Sequence, residues 1–225
     1  MTDPTDLPRA ALGPAARRGL ADEVADRLRD AIFDGTFPPG AALREVDLSQ
    51  RLEVSRGPIR EALARLEREG LVRTRWHRGA TVTTLSPQDA EELYTLREAL
   101  ERLAVARLHA HATEADLAEL DAIVDRMDTA ATDHEMLRLD LAFHDAVYRA
   151  TRHTRLWAAW AAIRAQIVLF LLSRIAVSTD YRQGVPEEHR ALVVALRGED
   201  VARTTELFVA HLARAYERLV AVRPS

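Results

Sequence analysis

The chain has 225 residues, 48% hydrophobic and 29% charged, which suits one large domain or two small ones and excludes disorder throughout. It has no cysteine, excluding disulfides, thiolate metal sites and cysteine nucleophiles and fitting a reducing compartment. The net charge is −4, no apolar run reaches the roughly 18–20 residues of a membrane span, and the start MTDPTDLPRA lacks a signal peptide's apolar core. These features predict a soluble cytoplasmic protein with no membrane partner.

Residues 1–19, with three prolines and two glycines, are expected to form a flexible N-terminal arm whose Arg17 and Arg18 could touch a phosphate backbone. A helix is predicted from Leu20 to Asp34, with Val24, Leu28, Ala31 and Ile32 on one face. Gly35 stops it, and Phe37-Pro38-Pro39-Gly40 forms a stiff turn. A short helix over 45–52 leads through Glu53-Val54-Ser55 to a helix over 56–69. Ser55 is placed to cap that helix and Pro58 fits its first turn. After Gly70, the alternating β-branched stretches 71–74 and 80–83 predict a hairpin with Trp76-His77-Arg78-Gly79 between them. Helix, helix, turn, helix and hairpin describe a winged helix-turn-helix over 20–85.

Beyond Leu85 the strand signals stop. Ser86-Pro87-Gln88-Asp89 and Thr113-Glu114-Ala115-Asp116 are capping signatures, and helices are predicted at 87–111, 114–130, 133–150, 154–176, 186–197 and 200–221. Short connections between helices of this length favour an antiparallel all-α bundle over 86–222. The expected fold class is therefore mainly α, a winged helix-turn-helix followed by a helical bundle.

Charge is unevenly divided. Residues 1–85 carry 14 arginines against 13 carboxylates (+1), residues 86–225 carry 17 against 22 (−5), and residues 51–80 carry 8 against 4 (+4). A local cationic patch weighs more for nucleic-acid binding than the net charge. In the 56–69 helix Ile59, Leu63 and Leu66 form the apolar stripe, Arg56, Arg60 and Arg68 lie away from it, and Arg65 flanks it. Arg56 and Arg60 stand one turn apart at the end that recognition helices present to base edges, where arginine pairs with guanine or holds phosphate. Ser55 and the first-turn N–H groups favour a phosphate, and Gly79 permits close approach of the hairpin to the minor-groove backbone. The plain alternative is a solvated face on which the arginines pair with Glu53, Glu61 and Glu69.

The phrase VSRGPIREALARLEREGLV…RGATV resembles the signature of the GntR family of bacterial transcription regulators, over about residues 20–84. The resemblance implies that Ser55, Arg56, Arg60 and Gly79 contact DNA. Some members carry a basic residue near Val46 on the preceding helix. Here that place is apolar, so the contact is missing or falls to Arg44.

The second half holds LRLDLAFHDAVY, PEEHRALVVALRGED and LFVAHLARAY. Asp140 and His144, at i and i+4, project from one helix face, and His189 and His211 sit on later helices. A carboxylate and three imidazoles suit Zn²⁺, Ni²⁺, Mn²⁺ or Fe²⁺. Each residue also has an ordinary reading, as a core or surface histidine or a local Asp/His ion pair.

Residues 90–215 resemble the ligand-binding (FCD-type) domain of the FadR-like GntR subfamily, through Leu96–Glu101, Asp140-x3-His144, Glu188-His189, Gly198-Glu199-Asp200 and His211. By that resemblance Asp140, His144, His189 and His211 hold a divalent metal ion, foremost zinc, and the chain departs from the metal-free acyl-CoA-binding branch. Arg97 then faces the pocket to pair with an effector carboxylate, its alternative being an intrahelical pair with Glu101. His153 stands where the family usually has Asn, and His77, His109, His111 and His134 match nothing. The resulting expectation is a homodimeric repressor of a palindromic double-stranded DNA operator, modulated by a small organic acid bound at or near the metal and without catalytic activity. Two alternatives are a metal-dependent enzyme with an appended DNA-binding domain, Asp145 and Glu188 flanking its ligands, and a regulator that senses the metal itself.

Overall fold

The computed structural model describes residues 19–75, 79–176 and 180–222. The expected arm with Arg17 and Arg18, and Trp76, His77 and Arg78 of the hairpin, lie outside the described residues.

Helix α1 (Leu20–Phe33) buries Val24, Ala25, Leu28 and Ile32, and its start is fixed by Asp22, which accepts the Gly19 N–H at 3.1 Å. Strand β1 (Ala42–Leu43) precedes α2 (Glu45–Leu52) and α3 (Arg56–Arg68). The tight link between these helices turns on Glu53, in the left-handed region at φ 54°. Strands β2 (Val72–Arg75) and β3 (Gly79–Val82) complete a three-stranded antiparallel sheet in the order β1-β3-β2. Ala42 pairs with Thr81 and Val72 with Val82.

The sheet differs from expectation in two ways. Strand β1 is too short for a two-residue alternation to reveal. The hairpin also starts one residue later than predicted, because the Leu71 N–H closes the end of α3 on the Leu66 carbonyl at 2.9 Å.

Six helices follow: α4 (Pro87–His111), α5 (Glu114–Met127), α6 (Asp133–Ala150), α7 (Thr154–Ile175), α8 (Val185–Arg197) and α9 (Val201–Val222). Full capping boxes start α4 at Ser86/Asp89 and α5 at Thr113/Asp116. Helix α5 stops short of the predicted residue 130. Its last carbonyls are taken by tight i−3 bonds, and Arg182 donates to the Ala130 and Ala131 carbonyls just beyond at 3.0 and 2.8 Å. At the start of α7, His153 does the work an Asn would do: its Nδ1 accepts the Leu156 N–H at 3.1 Å.

Helix α7 is long and apolar enough, by composition alone, to cross a membrane, although its scattered polar residues leave no unbroken apolar run of that length. Half of its most apolar stretch is buried, with Trp160, Ile163 and Ile167–Leu172 in the core. Helix α4 packs on α9, α7 and α6, and α5 on α6 and α8.

The winged part meets the bundle along a narrow seam. Gly35 (φ +81°) lies so close to the His134 ring that a Cβ would reach 2.4 Å from its Nε2, and Gly70 (φ +77°) faces Gln166. A cleft beside them is lined by Arg29, Phe33 and Glu69 on one side and Ala161, Arg164 and Ala165 on the other. Arg29 holds Glu69 through two hydrogen bonds of 2.9 and 2.8 Å.

Two glycines next to α3 predict opposite effects. Gly57 has open space around its Cβ position, so Gly57→Ala should gain up to about 1 kcal/mol in urea unfolding through helix propensity. Gly70→Ala should lose about 1–2 kcal/mol, from left-handed strain and a Cβ held 3.1 Å from Gln166. Equal stability of both variants would contradict the backbone geometry at these two positions.

Candidate nucleic-acid interface and metal centre

Helix α3 begins at Ser55, whose backbone is extended (φ −67°, ψ 164°) as at an N-cap, but whose hydroxyl makes no capping bond. The sequence-based capping role is thus only half met. Backbone geometry starts the helix, while the exposed hydroxyl stays free beside the first-turn N–H groups.

Arg56 and Arg60 project from this end and are mostly exposed. Their partner is none of the predicted glutamates. It is Glu45, the first residue of α2, whose Oε2 lies 2.8 Å from Arg60 Nε and 3.6 Å from Arg56 Nε. Glu69 is taken by Arg29, and Glu67 accepts the Thr74 N–H at 2.7 Å. Arg65 pairs with Asp22 of α1, which binds the third helix to the first.

Arg44 and Val46 are exposed at the start of α2. With Arg56, Arg60, Thr74 and Gly79 they border an open groove between the helices and the hairpin. Gly79 (φ +76°) has nothing within 4 Å of its Cβ position. Three of the four residues predicted to touch nucleic acid thus line this groove, and the fourth, Ser55, is exposed next to Arg56.

The second site lies inside the bundle. Asp140 and His144 on α6, His189 on α8 and His211 on α9 are all buried, and their ligand atoms lie within 4.8 Å of one another. Two imidazoles hydrogen-bond outward through Nδ1, His189 to the Val185 carbonyl at 2.8 Å and His211 to Glu188 Oε2 at 3.0 Å, while His144 Nδ1 lies 2.9 Å from Glu101 Oε1 as a charge contact without hydrogen-bond geometry. A neutral ring that donates from Nδ1 keeps a lone pair on Nε2, and each of the three rings offers one nitrogen to the cluster. The Nε2 atoms of His144 and His189 are buried and have no hydrogen-bond partner. His189 Nε2 lies 3.1 Å from Asp140 Oδ1, a contact that either a proton or a metal cation between the two atoms satisfies.

The electrostatics agree. Burial lowers the His211 pKa to about 4 against the pull of Glu188, and burial with the Arg97 charge lowers that of His144. Burial alone would raise the Asp140 pKa, but the His189 hydrogen bond and the three imidazoles outweigh it and keep the carboxylate ionised. Glu188, likewise opposed by burial, is brought to about 2 by His211 and Arg214. A carboxylate and three imidazoles, two of them with pKa lowered by burial, form a donor set that fits a divalent cation.

Glu101 and Glu188 are the residues that sequence reasoning undervalued. Glu101 appeared only as a partner for Arg97 and Glu188 only as a flanking carboxylate, yet both orient ligands. The signal for Glu101 was legible: it falls on the buried stripe Leu93, Arg97, Glu101, Ala104, Leu108 of α4, where a charge needs a reason. Arg97 is buried as well. Its Nη2 is 3.9 Å from Glu101 Oε1, its guanidinium lies 5.3 Å from the Trp160 ring centre, and Nε has no acceptor. It lines a cavity that includes Asp140 and His211. The remaining described histidines, His109, His111, His134 and His153, stand outside the cluster.

Residues 20–82 match the family described as bacterial regulatory proteins, gntR family, and residues 92–214 match the FCD domain. A probable D-xylose utilization operon transcriptional repressor of Paenarthrobacter nicotinovorans is 31% identical over 206 residues, covering 88% of this chain and 87% of that protein. An HTH-type transcriptional regulator of Bacillus subtilis, YdhC, is 35% identical over 136 residues, covering 58% of this chain and 61% of that protein. Among solved structures, a GntR transcriptional regulator from Rhodococcus sp. RHA1 superposes with a TM-score of 0.78 at 26% identity, over 91% of this chain and 99% of that one.

Glu101→Gln keeps the shape but removes the charge that anchors His144, so Zn²⁺ affinity measured by chelator competition should fall about 10- to 100-fold. Unchanged affinity would make Glu101 a passive core residue. Glu45→Gln should strengthen binding to mixed-sequence duplex DNA by releasing Arg56 and Arg60. An unaltered gel-shift titration would deny that Glu45 restrains them.

Proposed function

Because the chain belongs to the GntR family of bacterial regulatory proteins and carries an FCD domain, it is a DNA-binding transcription regulator and not an enzyme, and we propose that it is a homodimeric cytoplasmic repressor governed by a small organic acid bound beside a divalent metal ion. The carrying observation is the buried set of three imidazoles and one carboxylate, each offering a ligand atom within 4.8 Å of the others, with His189 and His211 oriented by hydrogen bonds through Nδ1. Asp140, His144, His189 and His211 are the metal's residues in this reading, with zinc first among the candidates. Once bound, the ion supplies a fixed positive charge that attracts a carboxylate, and Arg97 supplies a second. The same four residues argue for the FadR-like branch.

The enzyme alternative falls with the family assignment, and the flanking carboxylates add a chemical reason. Asp145 accepts from Trp160 Nε1 at 2.7 Å and from Arg164 at 2.9 Å, and Glu188 from His211, Arg214 and Arg218. Neither is free to act as a base.

DNA is taken by the face that carries Ser55, Arg56, Arg60 and Gly79, one winged module (residues 20–85) to each half of a palindrome. The bundle (residues 86–222) provides dimerisation. Its helix α4 is apolar on two sides: Leu93, Ala104, Val105 and Leu108 face the core, while Leu96 and Leu103 remain 47% and 44% exposed in line with the exposed Ala99, Ala106 and Ala110. Such a stripe on a bundle surface suits a second copy of itself. The repressor assignment rests on relatives such as the D-xylose operon repressor.

Protein purified without chelator or metal-affinity resin should hold about one divalent ion per chain, and stripping it with EDTA should lower the melting temperature. His189→Ala and His211→Ala should lose the ion; full occupancy of both variants in elemental analysis would refute the coordination. On DNA, Arg60→Ala should cost about 1–3 kcal/mol at a selected operator if it reads a base, or reduce the salt slope by about 1 if it holds phosphate. A change in neither would remove Arg60 from the reading face.

A further inference from the structure

The groove between α2, α3 and the hairpin presents a large apolar side chain that the core does not use. Leu43 and Leu63 also border this groove, but they are 1% and 5% exposed and belong to the interior. Val46 stands 46% exposed in the first turn of α2, between Glu45 and Asp47 and on the same groove as Arg44, Arg56 and Arg60. A lone exposed valine on an ordinary surface needs no explanation. This one belongs to the face that carries the guanidiniums assigned to DNA.

The chemistry of that face shows what it lacks. Arginine reads guanine through O6 and N7 or holds phosphate, whereas adenine is read bidentately by asparagine or glutamine. The chain contains no asparagine, and none of its four glutamines borders the groove. A hydroxyl such as that of Thr74 bonds to several bases and selects little. The guanidiniums thus distinguish a G·C pair, but they have no counterpart for an A·T pair. What an A·T pair still offers in the major groove is the thymine 5-methyl group, which takes an apolar contact. Val46 supplies one. A valine in a helix holds one strongly preferred χ1 rotamer, so its methyl groups lose little freedom on docking.

We propose that Val46 is a specificity-determining residue, packing on the 5-methyl group of a thymine in the major groove while Arg56 and Arg60 take guanine or phosphate. This goes beyond the operator-binding reading and rests on its choice of face.

The test starts from duplexes selected out of a random library with the full chain. Each thymine of the selected sequence is replaced in turn by deoxyuridine, which removes only the methyl group, and binding is read by fluorescence anisotropy at one salt concentration. At least one such exchange should weaken the wild type about three- to fourfold, the worth of one buried methyl group. Val46→Ala should fold as the wild type does by circular dichroism and should bind thymine and deoxyuridine at that position within about 1.5-fold of each other. Wild-type binding that no deoxyuridine weakens, a penalty that persists undiminished in Val46→Ala, or a selected sequence without thymine would each overturn the proposal while leaving the DNA face standing. Arg60→Ala with unchanged affinity and salt slope would remove the face and this proposal together.

Discussion

Three imidazoles, three carboxylates and two guanidiniums share the interior of one helical bundle, and their mutual neutralisation is the condition on which the rest of the bundle depends. Burial alone would charge the carboxylates less readily and the histidines hardly at all. The structure answers with directed pairs. The Nδ1 atoms of His189 and His211 are bonded to oxygens of α8, so these rings cannot rotate without breaking a bond, and His144 is held beside Glu101 of α4 by a charge contact at 2.9 Å. Aromatic packing closes the space around them. Phe143 meets His144 and His189 edge to face, with ring centres 5.5 and 4.7 Å apart, and Tyr148 stacks on Trp160 at 4.7 Å. With the rings fixed, α4, α6, α8 and α9 are fixed in register as well, since each contributes at least one member of the set.

That rigidity is passed outward. Asp145 follows the proposed ligand His144 in sequence and therefore points to another side of α6, where it holds Trp160 and Arg164 of α7. Arg164 lines the cleft that faces Arg29 and Glu69, residues of the three-helix unit that also carries Arg56 and Arg60. A displacement of α6 at the cluster thus has a contiguous route of charged and packed groups to the winged part. The seam it reaches is small: a glycine against a histidine ring, another against Gln166, and a polar cleft between. An interface of that kind is readily biased, and a regulatory ligand needs to shift such an equilibrium by only about 1–3 kcal/mol.

Most of the architecture was legible in the sequence because its signals were local. The boundaries of α2, α4 and α6 fall where Glu45–Leu52, Ser86-Pro87 and Thr132 place them, since caps and apolar stripes are properties of neighbouring residues. The four histidine-cluster residues were legible from their own chemistry only as types and as an i, i+4 pair, and their convergence came from the family resemblance alone, because His189 and His211 reach Asp140 only through the packing of three helices. Long-range partners were the least visible. Nothing in the sequence says that Glu45 rather than Glu53, Glu61 or Glu69 meets Arg56 and Arg60, or that the two-residue strand β1 closes the sheet, since both depend on how separate segments dock.

The two charged sites place the same guanidinium chemistry in opposite settings. The arginines of α3 are exposed, their pairing with Glu45 is screened by solvent, and exchanging that carboxylate for a phosphate costs little. Phosphate binding at such exposed guanidiniums is in general governed by counterion release. The arginines of the bundle are enclosed, so the same guanidinium chemistry becomes strong and selective by charge count and shape. A weak, adaptable contact at one end and a stringent one at the other is the division a repressor requires. In the proposed regulator the outer site exchanges Glu45 for a phosphate, while the inner site joins an acid to the metal-binding cluster.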